Sequence, residues 1–556
     1  MNGNSKKVGA PPKKAFFGGV LILSASTFIC KVIGLFFKIP MLEYVGIDGM
    51  AYFSAAYNVY LLLNTLSIAG LPVAISMLVS ESRARGDGAG VRRVFYISLA
   101  LCTAIGIAGA SALWFFAGRY SSAIGMAGAQ YSVMAIAPTM LFICIIGAIR
   151  GYFQGHEMME PTATSQLIES LRKLFLGVGF AVFALSAGKS AEEVAAAAVL
   201  GLSVGMLLSL IYLLFRLFFF ARKNGVLRRT SSAEKGSAVL RRLVTIAFPI
   251  TLAASVTGIT SLTDTALITN RLVDAGYADS VARMMYSSYS NLAVPLFNMP
   301  PALLAPLAVS IVPTLTAAIT EGDTERERRV FGSSLRMCVF LALPAAAGMS
   351  VFAEPIMRLV FSTQEQAVSV AAPLLSLLAV SIIFSCLTAL TNAVLQTYNR
   401  RALPIISMFI GALVKIVAEY LLVAKIGIVG APVSTLACTL TVTVLNVYFI
   451  GKYTPHKLDV RFLWRAFAST VLAISASLGV YVVLNSFGTV VALFAAVFAA
   501  VIIYVPTGLM LRAVSGEDVL QLPKGDKIAR FLEKLKLTEV KNENTKGKNR
   551  ISRQKG

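Results

Sequence analysis

The chain has 556 residues, of which 57% are hydrophobic and 14% charged, with a mean hydropathy of +0.75 and a net charge of +23. A soluble domain carries about 25% charged residues. The composition therefore excludes a soluble globular protein and points to a polytopic membrane protein.

Taken in order, the chain begins with a basic stretch, residues 1–14, that contains Lys6, Lys7, Lys13 and Lys14. The apolar segment after it lacks a small-residue cleavage site and reads as a first membrane span, not a removable signal. Apolar stretches of about 20 residues, each long enough to cross roughly 30 Å of hydrocarbon as a helix, recur as far as Arg512. About fourteen are counted, and their length excludes the alternating ten-residue strands of an outer-membrane barrel. The expected fold is an all-α bundle.

Orientation follows from the connections, because loops rich in lysine and arginine stay cytoplasmic. One set, together with the N-terminal stretch, carries Arg83, Arg85, Arg92, Arg93, Arg150, Arg222, Arg241, Arg242, Arg326, Arg328, Arg329, Arg400 and Lys452 among others. The opposite set holds little beyond Arg119, Lys189, Arg271, Arg283, Arg358 and Lys425, an asymmetry of roughly four to one that places both termini in the cytoplasm. The basic tail is expected to meet anionic lipid headgroups. It offers no aromatic interleaving past Phe531 and no nucleic-acid-binding module, so no nucleic-acid partner is expected.

The tetrapeptide Arg-Arg-Val-Phe occurs at residues 92–95 and again at residues 328–331, each time after a Gly-Asp. The preceding segments, "LPVAISMLVSESRARGD" and "APLAVSIVPTLTAAITEGD", repeat small residues, proline and serine in similar order. Further on, Gln154 pairs with Gln396, and Arg172 with Lys415, at a similar separation. An offset of about 240 residues spans six helices, an even number, so the two copies enter the membrane in the same orientation as parallel repeats. The expected organisation is an N-lobe over residues 15–222, a cytoplasmic linker over 223–240, a C-lobe over 241–451, two further spans over 463–512 and a basic tail over 513–556.

Six cysteines fall within the expected spans without metal-ligand spacing, and the two histidines, His156 and His456, lie in expected loops; no metal site and no cofactor is expected. The informative residues are the few charges inside spans, since each costs about 2.5–3.5 kcal/mol on insertion scales if it faces lipid. Lys31 and Lys38 lie in the first span, near one helical face; Lys38 either snorkels to the interface or faces inward, whereas Lys31 is deeper. The fifth span contains Glu169, Arg172 and Lys173, the seventh Asp264 and the eleventh Lys415 and Glu419. Glu169 with Arg172 or Lys173, and Lys415 with Glu419, have the spacing of intrahelical pairs. Asp264 has no close partner in its own helix, and a hydrogen-bonded structural role stands beside ion coupling. The N-lobe set of Lys31, Lys38, Arg172 and Lys173 against Glu169 suits an anionic headgroup on a hydrophobic tail.

The stretches "CKVIGLFFKIP", "LSIAGLPVAIS", "PTATSQLIESLRK", "LTDTALITNRL" and "AVPLFNMPPALLAPLAVSIVPTLT" resemble the multidrug, oligosaccharidyl-lipid and polysaccharide exporter superfamily, in the branch of stage V sporulation protein B and MurJ-like flippases. The resemblance implies fourteen helices in two lobes; an integral membrane enzyme acting on lipid-linked sugars is one rival, and no paired carboxylates or histidine cluster supply the acid, base or metal site it would need, so no enzymatic activity is expected. The resemblance implies movement of an undecaprenyl-pyrophosphate-linked saccharide, lipid II or a polysaccharide unit, by alternating access, with cell-wall synthases as candidate partners. It also implies that Lys31 and Lys38 stand near the family's cavity arginines. The second span lacks the arginine of MurJ-like proteins and offers Asn64 instead, and the eighth lacks its arginine too, which leaves the saccharide open. The alternative is a cation-coupled multidrug antiporter of the same superfamily, which would call for an acidic cavity. A topology reporter fused after Gly556 or placed near Lys235 should report the cytoplasm and one near Gly276 the exterior; an exterior signal at Lys235 would sink the parallel-repeat model.

Overall fold

The computed structural model describes residues 13–224, 235–400, 402–454, 461–514 and 518. Most of the expected basic tail, the middle of the linker and His456 lie outside the described residues. Every regular element among them is a helix, as the hydropathy requires.

The chain divides into two compact units, Met1–Asn291 with Glu419–Ala431, and Leu292–Ala418 with Pro432–Gly556. The first contains α1 (Lys13–Ala69), α2 (Leu71–Ala84), α3 (Gly88–Ala123), α4 (Gln130–Gly155), α5 (Glu160–Arg172), α6 (Val178–Ser186), α7 (Ala191–Asn224), α8 (Gly236–Asp274) and α9 (Asp279–Ser287). The second contains α10 (Val294–Phe297), α11 (Met299–Glu321), α12 (Thr324–Val351), α13 (Ala353–Val360), α14 (Glu365–Thr397), most of α15 (Ala402–Ile426) and of α16 (Gly430–Tyr453), α17 (Arg461–Leu484) and α18 (Thr489–Met510). Nine stretches among the described residues are long and apolar enough to cross a membrane, so the count of fourteen stays an expectation. One reason is that α1 covers two expected spans, broken at Gly46, where φ is 73° and ψ 171°.

In the first unit α4 is the central helix and packs on α2, α3 and α7. Its Gly151 and Gly155, four residues apart, let the backbone of α2 approach closely: a Cβ on Gly151 would lie 2.7 Å from the Pro72 carbonyl oxygen, and one on Gly155 would lie 2.6 Å from Val79 Cβ. Small residues at this spacing are how membrane helices gain van der Waals contact where the hydrophobic effect offers none. In the second unit α17 and α18 pair with each other, and Tyr504 of α18 donates to the Phe340 carbonyl of α12 at 2.7 Å. Asp518, just beyond, accepts two hydrogen bonds from Arg336 at 2.9 and 2.6 Å, fastening the start of the tail to α12.

The repeated Gly-Asp is a helix-breaking device. Gly86 and Gly322 end α2 and α11 with φ of 72° and 69°, a conformation only glycine adopts freely. Asp87 and Asp323 then cap α3 and α12, with φ/ψ of −83°/82° and −83°/83°, and accept from the N–H of Gly90 at 2.8 Å and of Arg326 at 2.9 Å. The turn after α4 recurs after α14 as well: Glu157 and Asn399 have φ of 63° and 58°, flanked by matching backbone bonds from Glu157 N to Gln154 O and from Asn399 N to Gln396 O. Replacing either cap by alanine, Asp87→Ala or Asp323→Ala, should cost about 1 kcal/mol and asparagine much less, read as a fall in thermal unfolding temperature of the purified protein.

Candidate functional site

The polar residues of the first unit gather along the second half of α1. Residues 54, 57, 58 and 60 recur at helical spacing and meet α5, α8 and α9. Three hydrogen-bonded groups result.

The first is built on Lys38. Its Nζ donates to Asn291 Oδ1 at 2.9 Å and to the Ser290 carbonyl at 3.2 Å. Ser54 donates to the same Asn291 oxygen at 2.8 Å, while Asn291 Nδ2 donates to Ser287 Oγ at 3.2 Å and the Met50 carbonyl at 3.3 Å. Residues Ser288–Ala293 form a π-helical turn, a widened turn that frees carbonyls for side chains. Lys38 takes one of these carbonyls.

The second group is built on Lys173, the first residue of another π-helical turn, Lys173–Gly177. Lys173 Nζ donates to Tyr57 OH at 2.8 Å and lies 4.8 Å from the Tyr57 ring centroid and 5.5 Å from that of Tyr60. These rings stack on one another at 5.3 Å and continue to Phe53 at 5.6 Å, a platform of negative π-faces under the ammonium. Tyr60 OH donates to Glu169 Oε1 at 2.8 Å. Glu169 Oε2 is 3.4 Å from Arg150 Nη2, and Arg150 Nε donates to Ser165 Oγ at 2.9 Å.

The third group joins Asn58 Nδ2 to Thr265 Oγ1 at 2.9 Å and Tyr286 OH at 3.0 Å. Asp264 is the neighbour of Thr265 on α8. The three groups bring together the basic side chains of Lys38, Arg150 and Lys173 and the acidic ones of Glu169 and the nearby Asp264, three bases to two acids.

Two differences from the sequence reading stand out. Glu169 is paired with Arg150 of α4 and Tyr60 of α1, not with Arg172 or Lys173 of its own helix. Arg150, counted among loop cations, is 2% exposed inside the bundle, because α4 runs on to Gly155. Its signal was the unbroken apolar run before it, "LFICIIGAIR". Arg172 Nη1 and Asn64 Oδ1 are buried with no hydrogen-bond partner among the described residues. Lys31 lies on α1, but its side chain is outside the described residues. Lys415 and Glu419, one turn apart on α15, are 8% and 1% exposed, and the division between the two units falls between them.

A family model for polysaccharide biosynthesis proteins matches residues 16–319. The chain belongs to the polysaccharide biosynthesis protein family. A second model, MatE, matches residues 276–421 of this family member. Stage V sporulation protein B of Bacillus subtilis (strain 168) is 26% identical over 524 residues, 92% of this chain and 98% of that one. The lipid II flippase MurJ of the same organism is 23% identical over 437 residues, 75% of this chain and 79% of that one. Among solved structures, lipid II flippase MurJ in an inward closed conformation aligns with a TM-score of 0.66 at 15% identity, over 88% of this chain and 98% of that one. An inward-facing multidrug resistance MATE family transporter of the MOP superfamily aligns with a TM-score of 0.58 at 15% identity, over 77% of this chain and 100% of that one. This polysaccharide biosynthesis family member is thus a multi-pass membrane protein with the MOP transporter fold, and a transporter, not an enzyme.

Removing one partner of a buried ion pair strands the other, at a cost of about 3–5 kcal/mol. Arg150→Met should therefore sharply lower folded, membrane-inserted protein, and adding Glu169→Gln should restore most of it, measured as the monodisperse fraction after detergent extraction. Equal abundance of wild type and Arg150→Met would show that the pair does not hold the fold.

Proposed function

We propose that the protein moves an anionic lipid-linked saccharide, of the undecaprenyl-pyrophosphate class, from the inner to the outer leaflet of the cytoplasmic membrane by alternating access between two parallel six-helix lobes, with both termini in the cytoplasm. The observation that carries this reading is that Lys38 and Lys173, within apolar helices, are held by neutral partners, while the carboxylate of Glu169 already has its cation in Arg150. Ammonium and guanidinium groups in a low-dielectric setting favour pyrophosphate oxygens, and their present partners, a carbonyl, an amide and a phenol, are neutral groups that a phosphate can replace. The likeness to proteins named stage V sporulation protein B and lipid II flippase supports the substrate class.

In this reading Lys38 and Lys173 grip the headgroup, with Lys31, Arg172 and Asn64 along its path, and Asp264, Lys415 and Glu419 couple the cycle to an ion. A cation-coupled multidrug antiporter is the second reading, favoured by the MATE-like fold and the MatE match. The sign of the cluster weighs against it, because a cationic drug needs acids facing it.

A charge-assisted hydrogen bond is worth about 1.5–3 kcal/mol, so Lys38→Gln and Lys173→Gln should each cut transport by roughly tenfold or more, while Lys38→Arg retains most of it. The measurement is lipid-linked precursor by leaflet in cells depleted of the native protein, beside a drug-susceptibility assay. Full flipping by a well-expressed Lys38→Gln, Lys173→Gln double variant would exclude phosphate gripping by this cluster, and drug sensitivity without precursor accumulation would favour the antiporter.

A further inference from the structure

A second cationic feature lies at the helix ends where the Arg-Arg-Val-Phe motif begins α3. A cavity of about 500 Å³, within the range of small-ligand pockets, opens between the ends of α2, α3, α4 and α7. Arg83, Arg92 and His156 line it, with Tyr152 and Phe220 as aromatic walls. Arg83 Nη1 donates to the Gly155 carbonyl at 3.0 Å, which holds its guanidinium at the end of α4. His156 Nδ1 lies 2.9 Å from the Tyr152 carbonyl and so carries its proton there, leaving Nε2 as the nitrogen available to a ligand. The ring packs against Tyr152 at 4.4 Å and Phe220 at 5.1 Å. Tyr152 is fully buried, and its hydroxyl has no hydrogen-bond partner among the described residues.

The duplication supplies an internal comparison. By the repeat, Val91, Arg92 and His156 correspond to Glu327, Arg328 and Tyr398, and the turns that carry them match in backbone conformation. In the second copy Tyr398 OH donates to the buried carboxylate of Glu327, so an anion is built into the turn. In the first copy valine replaces that acid and imidazole replaces the phenol. The same backbone frame then presents two guanidiniums, an imidazole and a buried hydroxyl, and among the described residues that line the cavity none is acidic.

We propose that this cavity binds a phosphate group, carried either by an anionic phospholipid of the adjoining leaflet or by a small soluble ligand. The planar guanidinium forks of Arg83 and Arg92 match phosphate oxygens, and His156 Nε2 adds a donor when protonated. The ligand takes the place that the Glu327 carboxylate occupies in the second copy. This site is separate from the Lys38 and Lys173 cluster and does not rest on the substrate assigned to it.

The test uses delipidated full-length protein. In one arm, native mass spectrometry follows titration with phosphatidylglycerol against phosphatidylcholine; in the other, inorganic phosphate is titrated into the protein in phosphatidylcholine nanodiscs and followed by phosphorus NMR. Wild type should bind one of the two probes, and Arg92→Gln should weaken that binding roughly tenfold or more. Arg92→Lys should fall between, Val91→Glu should abolish binding by supplying the acid internally, and Arg328→Gln should match wild type. Binding of phosphatidylglycerol alone assigns the site to a lipid, and binding of phosphate in nanodiscs assigns it to a soluble ligand. Wild type that binds neither probe, or an Arg328→Gln loss equal to that of Arg92→Gln, would overturn the proposal whatever the folding of the Val91→Glu variant.

Discussion

A charge placed among apolar helices must have a partner, and this constraint organises the first unit. Glu169 is the acid of the Lys173 group; the buried guanidinium of Arg150 supplies the opposite charge and donates from Nε to Ser165 Oγ, which orients it. With Glu169 neutralised, Tyr60 is fixed by its bond to the carboxylate, and the stacked rings of Tyr57 and Tyr60 become the support for Lys173. Each step uses up one group's capacity and passes the next group on in a defined position. What is left at the end of the chain of contacts is an excess of cations held by neutral partners.

The two π-helical turns make that excess possible. In a regular α-helix each interior carbonyl already accepts one backbone bond, so a lysine pointing at it competes for the remaining lone pair. Widening the turn at Ser288–Ala293 exposes the Ser290 carbonyl to Lys38, and widening at Lys173–Gly177 occurs where Lys173 reaches back to α1. Asn291 then completes the first arrangement, since its amide accepts from Lys38 and Ser54 and donates to Ser287 and the Met50 carbonyl. The Lys38 nitrogen is thereby hydrogen-bonded to neutral groups. That separates a binding group from a structural ion pair.

Helix content was legible in the sequence because long apolar runs admit no other secondary structure in a bilayer, and the Gly-Asp pairs were legible as repeat markers, though not as the left-handed turn and helix cap that they form. The residues with charge inside spans were legible for the same energetic reason. Their partners were not. Arg150 sits at the end of an apolar run, where hydropathy cannot tell a loop cation from a buried one, and the decision rests on how far α4 extends. Asn291 hides in the polar run "YSSYSN", and nothing local marks the π-helical turn that gives it its place. Glu169 illustrates the general reason: spacing along one helix named Arg172 and Lys173 as partners, but the structure chose between near and distant cations by packing, which a single sequence does not display.

The duplication shows what packing has done with the freedom that remained. Both copies keep the same αL glycine, the same aspartate cap and the same αL turn after the fourth helix of the repeat, because those positions fix the backbone. Between these fixed points the side chains have diverged in charge: where one copy closes on Glu327 and Tyr398, the other leaves Arg92 and His156 around a cavity. The backbone frame is indifferent to the exchange, since neither residue is needed for the caps. Divergence of this kind can turn a self-sufficient structural turn into a place for a ligand without any change of fold, and it does so at the residues the repeat leaves free.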